Sequence, residues 1–181
     1  MPFRKFDNKQ FWNNRYLKSP SLGSGPGSRG EIAILKSRNI QDIVLNNSIS
    51  SILDYGCGDL HCIDPCLIEQ YVGVDLSEIV LEKNRKLFPN KKFITPQELD
   101  DDRFDLVVCQ DVLIHQDTKD KFMYIFNTCL SKTNKIFLFS TLTSRKDSRH
   151  NVFYYDLDPQ FLQEQVSNYR DVTTYIYRVQ T

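Results

Sequence analysis

Two glycines flanked by carboxylates are the first residues of the sequence that could do chemistry. Residues 54–59 read Asp-Tyr-Gly-Cys-Gly-Asp and follow a short apolar run. Glycines one residue apart permit a tight turn and a close approach of the backbone to a ligand. Asp75 lies 19 residues after Gly56, the separation expected of a carboxylate that binds ribose hydroxyls. Together these residues predict a site for an adenosine-containing ligand.

The residues around the glycines narrow the class of ligand. A dinucleotide fingerprint needs a third glycine at position 61, where His61 stands. Asp54 and Asp59 would also repel a pyrophosphate. A P-loop is excluded, because no Gly-Lys-Ser/Thr sequence follows the glycines. S-adenosylmethionine carries an ammonium and a sulfonium but no phosphate, so an acidic residue at the end of the preceding strand suits it.

The elements that would position these residues alternate between apolar strands and amphipathic helices. Continuous apolar strands separated by helices indicate a parallel sheet covered on both faces, with ligands at the carboxyl ends of the strands. The predicted fold is therefore an α/β, doubly wound, mostly parallel sheet. Strands are predicted at 51–55, 71–76, 91–95, 104–112 and 135–142, and helices at 31–47, 78–88 and 117–132.

The two ends of the chain are predicted separately. A last helix should run from Pro159 to about Val166, which leaves one strand at 170–179 and a sheet of six strands or a truncated hairpin. Near the start, aromatic residues spaced for one helix face precede a Ser/Gly/Pro-rich stretch at 19–30. That stretch reads either as a linker or as a lid over the site, and the lid is favoured. The whole chain, 1–181, is expected to be one domain, with 1–30 as helix and loop and 31–181 as the α/β core.

Three segments carry a resemblance to a known family. ILDYGCGD, YVGVDLS and FDLVVCQDVLIH, in this order and spacing, resemble successive motifs of class I (Rossmann-like) S-adenosylmethionine-dependent methyltransferases of the small bacterial type, over about residues 30–142. Residues 11–36 also resemble a segment of small bacterial methyltransferases that modify glycans or small molecules. The resemblance implies that S-adenosylmethionine is the cofactor and that the following residues bind it: Asp54, Tyr55, Gly56, Cys57, Gly58, Asp75, Leu76, Gln97, Gln110, Asp111, Val112, Trp12 and Arg15.

Two histidines are candidates for a catalytic base that removes a proton from an acceptor hydroxyl. His115 follows Asp111 by about one helical turn, at the mouth of the predicted site, although it could instead cap or pack the next helix, as single histidines often do. His150 follows the fifth strand, where loops that contact the acceptor are expected, or else is a solvated loop residue. Arg145, Lys146 and Arg149 stand beside it and either bind an anionic group of the acceptor or form a solvated charged loop.

Cysteine spacing argues against a metal site. The chain has five cysteines, an odd number, so reduced thiols are expected. Cys57, Cys62 and Cys66 with His61 have the wrong spacing for a zinc ribbon, and no second paired knuckle follows. No metal ligand is therefore assigned.

Composition limits the partners. The chain of 181 residues carries 23 Lys and Arg against 23 Asp and Glu, so nucleic acid is an unfavoured substrate. No apolar run approaches a membrane span and the start lacks a signal peptide, so a cytoplasmic protein is expected. The leading hypothesis is O-methylation of a small molecule or saccharide. The alternatives are methylation of nucleic acid or protein, and a catalytically silent S-adenosylmethionine-binding subunit; the oligomeric state is open.

Overall fold

One sheet organises the computed structural model, which describes residues 7–144 and 152–180. Within these ranges its strands are β1 (Ser51–Tyr55), β2 (Gln70–Val74), β3 (Lys92–Ile94), β4 (Phe104–Cys109), β5 (Thr133–Leu142), β6 (Glu164–Tyr169) and β7 (Val172–Arg178). The spatial order is β3-β2-β1-β4-β5-β7-β6. The first five strands are parallel, and β7 is antiparallel to both β5 and β6. The prediction of a doubly wound, mostly parallel sheet is confirmed.

Helices cover both faces of the sheet because successive strand residues point to opposite sides. The helices are α1 (Asn8–Lys18), α2 (Gly30–Asn46), α3 (Glu78–Leu87) and α4 (Lys119–Ser131). Residues of α2 and α3 pack in one hydrophobic cluster with Ile52 and Leu106. Residues of α4 pack in the other with Leu53 and Val107. The central strands β1 and β4 are buried at every residue, so their sequences are mostly apolar and do not alternate with polar residues.

The end of the chain differs from the prediction. The expected helix from Pro159 to Val166 is a single 3₁₀ turn, Pro159–Phe161, and a complete β6–β7 hairpin follows it, so the sheet has seven strands. Asp158 caps that turn as a helix start would, because its side chain accepts a hydrogen bond from the Gln160 N–H. The hairpin turn contains Arg170 in the left-handed region at φ 53°. No glycine signals this turn in the sequence, and for that reason the hairpin was missed.

Strand register brings the predicted site residues to one edge. Asp54 pairs with Gly73 on β2 and with Val108 on β4. The loops that follow β1, β2 and β4 therefore emerge side by side. β4 ends at Cys109 rather than at the predicted residue 112, and a 3₁₀ turn, Leu113–His115, follows it. No helix of the described residues is long and apolar enough to cross a membrane.

Candidate active site

The turn after β1 is built around Gly56. Its backbone has φ 87°, and its N–H donates to the Val74 carbonyl at 2.7 Å, which ties the turn to the end of β2. A Cβ on Gly56 would overlap the Cγ2 of Val112. Glycine is therefore required here both by backbone conformation and by the close approach of the loop after β4.

Asp75 stands at the end of β2 with both oxygens oriented by the backbone. Its Oδ2 accepts the Gly58 N–H at 3.0 Å, and its Oδ1 accepts the Ser77 N–H at 2.8 Å. Burial raises the pKa of Asp75 to about 6, although these N–H groups favour the charged form. Each carboxylate oxygen can accept a further hydrogen bond. The arrangement suits recognition of two neighbouring hydroxyls, as in a ribose.

Asp54 lies deeper, below the glycine turn. The Tyr71 hydroxyl donates to its Oδ2 at 2.8 Å. Burial raises the pKa of Asp54 to about 7, an effect that the Tyr71 hydrogen bond opposes and the neighbouring Asp75 reinforces. A buried carboxylate without a cationic partner is costly. A cationic ligand group nearby, such as an ammonium, would therefore be favoured.

Helix α1 crosses the carboxyl edge of the sheet. The Asn13 Oδ1 accepts the Ser77 hydroxyl at 2.7 Å, and the Asn8 side chain donates to the His115 carbonyl at 2.7 Å. Trp12 packs edge-on against His115, with ring centroids 5.4 Å apart. The helix thus bridges the loops after β2 and β4 and covers the cleft between them.

Asp59 fastens the Ser/Gly-rich segment to the glycine turn. It accepts the Ser24 hydroxyl at 2.8 Å and the Ser24 N–H at 3.2 Å, and it pairs with Arg29. Burial alone would raise the pKa of Asp59, but hydrogen bonds from Arg29 and Ser24 outweigh it and hold the pKa below its usual value. Ser24 and Tyr16 approach Gly58 so closely that a Cβ there would clash with them. The segment is therefore an ordered cover over the turn.

A second ion pair fixes the loop after β4. The Lys36 ammonium donates to the Asp111 Oδ2 at 2.6 Å and to the Gly27 carbonyl at 2.8 Å. Asp111 has φ 57°, and its N–H donates to the Ser140 hydroxyl at 2.7 Å. Lys36 is buried, so its charge needs this partner. The pair joins α2, the Ser/Gly-rich segment and the loop after β4.

A cleft of three connected chambers, here called the long cleft, runs beneath α1. Its middle chamber contains Asp75, Gln110 and Val112. The outer chamber, of about 590 Å³, shares Tyr55 and Leu76 with the middle one and adds the exposed Gln97. The inner chamber is lined by the following residues of the glycine turn and its surroundings: Ser24, Ser28, Lys36, Asp54, Gly56, Cys57, Asp59 and Gln110.

A separate space, here called the side cavity, lies on the other side of Trp12 and holds about 230 Å³. Trp12, Ser24, Asp111 and His115 line both the side cavity and the middle chamber. The side cavity also receives residues of the β6–β7 hairpin, Ser167, Tyr169, Arg170, Asp171, Val172 and Thr174. Lys36 lines both the side cavity and the inner chamber, so the side cavity and the long cleft share five lining residues.

The structure brings most of the predicted site residues together. Those that line the long cleft are Asp54, Tyr55, Gly56, Cys57, Asp75, Leu76, Gln97, Gln110, Asp111, Val112, Trp12 and His115. Gly58 forms part of the turn beneath Ser24. Arg15 lines the side cavity and none of the three chambers of the long cleft. His150, Arg145, Lys146 and Arg149 lie outside the described residues.

Several contributors to the site were not predicted. Lys36, Asn8 and Asn13 reach the loops from helices that the sequence showed only as amphipathic. The clamp formed by Ser24, Arg29 and Asp59 joins positions up to 35 residues apart in the sequence. No local spacing signal encodes such contacts, which depend on the path of the chain across the sheet.

The cysteines remain free thiols in the structure. Cys57 is buried and Cys66 is exposed, so the two face different surroundings. Across residues 7–144 and 152–180, no group of three or more His, Cys, Asp or Glu side chains is arranged to hold a metal ion.

The long cleft fits S-adenosylmethionine. Both side-chain polar atoms of Gln110 are buried and have no hydrogen-bond partner in the described part of the chain. Buried polar groups of this kind are normally satisfied, so a polar ligand group is expected beside them. Asp54 and Gln110 would hold the methionine end and Asp75 the ribose, while the apolar side chains of the outer chamber would contact the adenine. The bound cofactor would supply a methyl group activated by the sulfonium.

Comparisons with known proteins agree with this fit. The family described as "Methyltransferase domain" matches residues 29–174. Magnesium protoporphyrin IX methyltransferase (ChlM) from Synechocystis PCC 6803, solved with bound SAH, has a TM-score of 0.68 at 13% identity over 94% of this chain and 97% of that chain. The DhpI–SAH complex has the same TM-score and identity over 93% of each chain.

A more distant likeness is to CalS10, an amino pentose methyltransferase from Micromonospora echinaspora, with a TM-score of 0.54 at 16% identity over 62% of this chain and 52% of that one. No curated protein sequence is significantly similar to the chain. The family match covers well over half of the chain, and the structural likenesses show the same fold. The chain therefore belongs to the methyltransferase domain family and is a class I S-adenosylmethionine-dependent methyltransferase.

Proposed function

We propose that the protein methylates a hydroxyl oxygen of a small molecule bound in the side cavity. The observation that carries the proposal is the shared wall: His115 lines both the long cleft and the side cavity. An acceptor in the side cavity would meet the cofactor methyl group at this wall. His115 is then the base that removes the hydroxyl proton.

The reaction at the wall is an in-line displacement. The acceptor oxygen forms a bond to the methyl carbon while the carbon–sulfur bond breaks, and that electron pair stays on sulfur to give S-adenosylhomocysteine. The hydroxyl proton passes to an imidazole nitrogen of His115. The protein mainly contributes positioning, because the methyl group is already activated by the sulfonium. The Trp12 ring meets the His115 ring edge-on, and it thereby restricts where the imidazole can lie.

The cover over the long cleft supports the same proposal. Asn8, Asn13 and the clamp at Asp59 hold α1 and the Ser/Gly-rich segment across the edge of the sheet. Such covers exclude water from the reacting groups. We propose that residues 1–30 act as this lid within a single domain of 181 residues, although residues 1–6 lie outside the described part.

The size of the side cavity and the acceptors of proteins with a similar fold favour a small acceptor. A volume of about 230 Å³ is below the roughly 300–1,000 Å³ of sites for drug-sized ligands. Two of the proteins with a similar fold are described as methyltransferases of a porphyrin and of an amino pentose, both small molecules. The balance of 23 basic and 23 acidic residues gives no general attraction to nucleic acid.

The experiment is a transfer assay with S-adenosylmethionine labelled in the methyl group and a panel of phenols, hydroxy acids and monosaccharides, with total RNA and a protein lysate as separate arms. Label in an ether of a small acceptor is expected. His115→Gln should lower kcat at least 100-fold while calorimetry shows that S-adenosylhomocysteine still binds. Transfer only to RNA or protein, or full activity of His115→Gln, would contradict the proposal. Tight cofactor binding without turnover on any arm would indicate a silent subunit.

A further inference from the structure

We infer that the acceptor is a small aromatic hydroxy acid whose carboxylate is bound by Arg15. The inference deepens the proposed function and rests on it, since it assigns the chemical class of molecule that the side cavity takes. It starts from a cation that lies outside the three chambers that would hold the cofactor. Arg15 lines the side cavity and none of the three chambers of the long cleft.

The guanidinium of Arg15 is held in place but keeps its outer nitrogens available. Its Nε donates to the Gly23 carbonyl at 2.8 Å. Its terminal nitrogens make no hydrogen bond to any described residue. Gly25, at φ 101°, leaves them room, because a Cβ there would lie 3.3 Å from Nη2. A fixed guanidinium fork with two free nitrogens matches a carboxylate bidentately.

The other charges around the side cavity do not compensate Arg15. Lys36 and Asp111 neutralise one another in the buried pair. Arg170 stands over the Tyr169 ring, with its guanidinium carbon 5.1 Å from the centroid, and adds a second positive charge at the hairpin. Asp171 lines the same space, so the carboxylates of Asp111 and Asp171 stand against the three cations of Arg15, Lys36 and Arg170. The side cavity therefore keeps an excess of positive charge in a chain whose formal net charge is zero.

The remaining lining favours a flat apolar body. Nine of the 21 lining residues have aromatic or aliphatic side chains, and they are Phe11, Trp12, Ile32, Leu35, Ile114, Leu142, Val152, Tyr169 and Val172. Aromatic rings in such a wall stack on or meet the edge of a ligand ring. A monosaccharide would set hydroxyls against these apolar side chains, which a flat ring would not.

Arg15 and His115 both lie beside Trp12. The Arg15 guanidinium carbon lies 5.8 Å from the Trp12 ring centroid, and the His115 centroid lies 5.4 Å from the Trp12 ring centroid. The anion-binding group and the proposed base are therefore both neighbours of the same indole. An aromatic acid with a hydroxyl on its ring would direct the carboxylate toward Arg15 and the hydroxyl toward His115.

The test measures binding rather than turnover, so that it stays separate from the proposed transfer. Calorimetry at pH 7.5, with saturating S-adenosylhomocysteine, compares 4-hydroxybenzoate with its neutral analogue 4-hydroxybenzyl alcohol. Wild-type protein should bind the acid at least tenfold more tightly than the alcohol. Arg15→Gln should remove this preference and leave the affinity for the alcohol within twofold. Arg38→Gln, which removes an exposed cation of α2, is the matched control and should retain the preference.

Equal wild-type affinities for acid and alcohol, absence of binding by both, or an equal loss of both in Arg15→Gln would overturn the inference. An equal loss would show that Arg15 only holds the lid through Gly23. Arg15-dependent binding of the acid without methylation would uphold the inference and contradict the proposed hydroxyl transfer. Methylation of neutral phenols without a preference for acids would uphold the proposed hydroxyl transfer and contradict the inference.

Discussion

The long cleft and the side cavity are built in different ways. The cleft is formed at its base by loops that directly follow β1, β2 and β4, and much of its geometry is backbone: the left-handed Gly56 and the N–H groups aimed at Asp75. The side cavity is formed by side chains of α1, α2 and the terminal hairpin, which meet only in the folded chain. On the proposed function, cofactor binding depends on local turns, whereas acceptor recognition depends on packing between distant segments.

The largest expected effect is on the backbone of the cleft. Gly56→Ala places a Cβ against Val112 and strains φ, so it should lower the free energy of unfolding by about 3 kcal/mol and abolish binding of S-adenosylhomocysteine. Gly30→Ala is the control, since Gly30 also has positive φ but no atom within 4 Å of the new Cβ; it should cost only about 1 kcal/mol. Chemical denaturation and calorimetry measure both. Similar losses in the two variants would refute the contrast.

Asp75→Asn tests whether the long cleft and the side cavity bind their ligands independently. The amide keeps the size of the side chain but removes the charge and one acceptor, so affinity for S-adenosylhomocysteine should fall about 10- to 100-fold. Binding of 4-hydroxybenzyl alcohol to the side cavity should change less than twofold. Asp64→Asn, an exposed carboxyl that also accepts a backbone N–H, is the control and should leave both affinities unchanged. A parallel loss in both spaces would show that they are one site.

Asp59→Ala should affect both spaces, because its clamp holds the segment that borders them. We expect dissociation of S-adenosylhomocysteine to become about tenfold faster, the equivalent of one charge-assisted hydrogen bond. Trp12, the single tryptophan, lies at the shared wall and reports the rate by stopped-flow fluorescence. The exposed Asp42→Ala on α2 is the control. Unchanged dissociation in Asp59→Ala would show that the cover is static packing.

The smallest expected effect is a dependence of the free energy of unfolding on pH, caused by the titration of Asp54. Its pKa rises from 3.8 to about 7 on folding, so the folded protein binds the extra proton and stability falls as pH rises toward and through 7. Between pH 6 and 8, wild-type protein without ligand should lose about 1 kcal/mol relative to Asp54→Asn. Denaturation of both proteins at each pH measures this difference. A constant difference across this range would contradict the raised pKa.

Sequence reasoning succeeded where the structure is local. The glycine turn, Asp75 and the five parallel strands follow from apolar runs and from residue types just after them, because a strand end and its loop are adjacent in the chain. It failed at the β6–β7 hairpin, where Pro159 and Asp158 start a helix-like turn that stops after three residues. Pairing of β7 with β5 determined the structure of that region, and Arg170 adopts a left-handed conformation that favours glycine.

Residues just after the strands specify the turn that we propose binds the cofactor. The spacing of Gly56, Gly58 and Asp75 brings the carboxylate beside the glycine turn once the strands are parallel, since neighbouring strand ends must then meet. The proposed acceptor side is specified instead by tertiary contacts. Lys36 reaches Asp111 across 75 residues, and Arg15 faces the side cavity rather than the cleft. The physical reason is that these contacts are made by side chains from separate elements, whose positions are set by packing on the sheet and not by any local pattern.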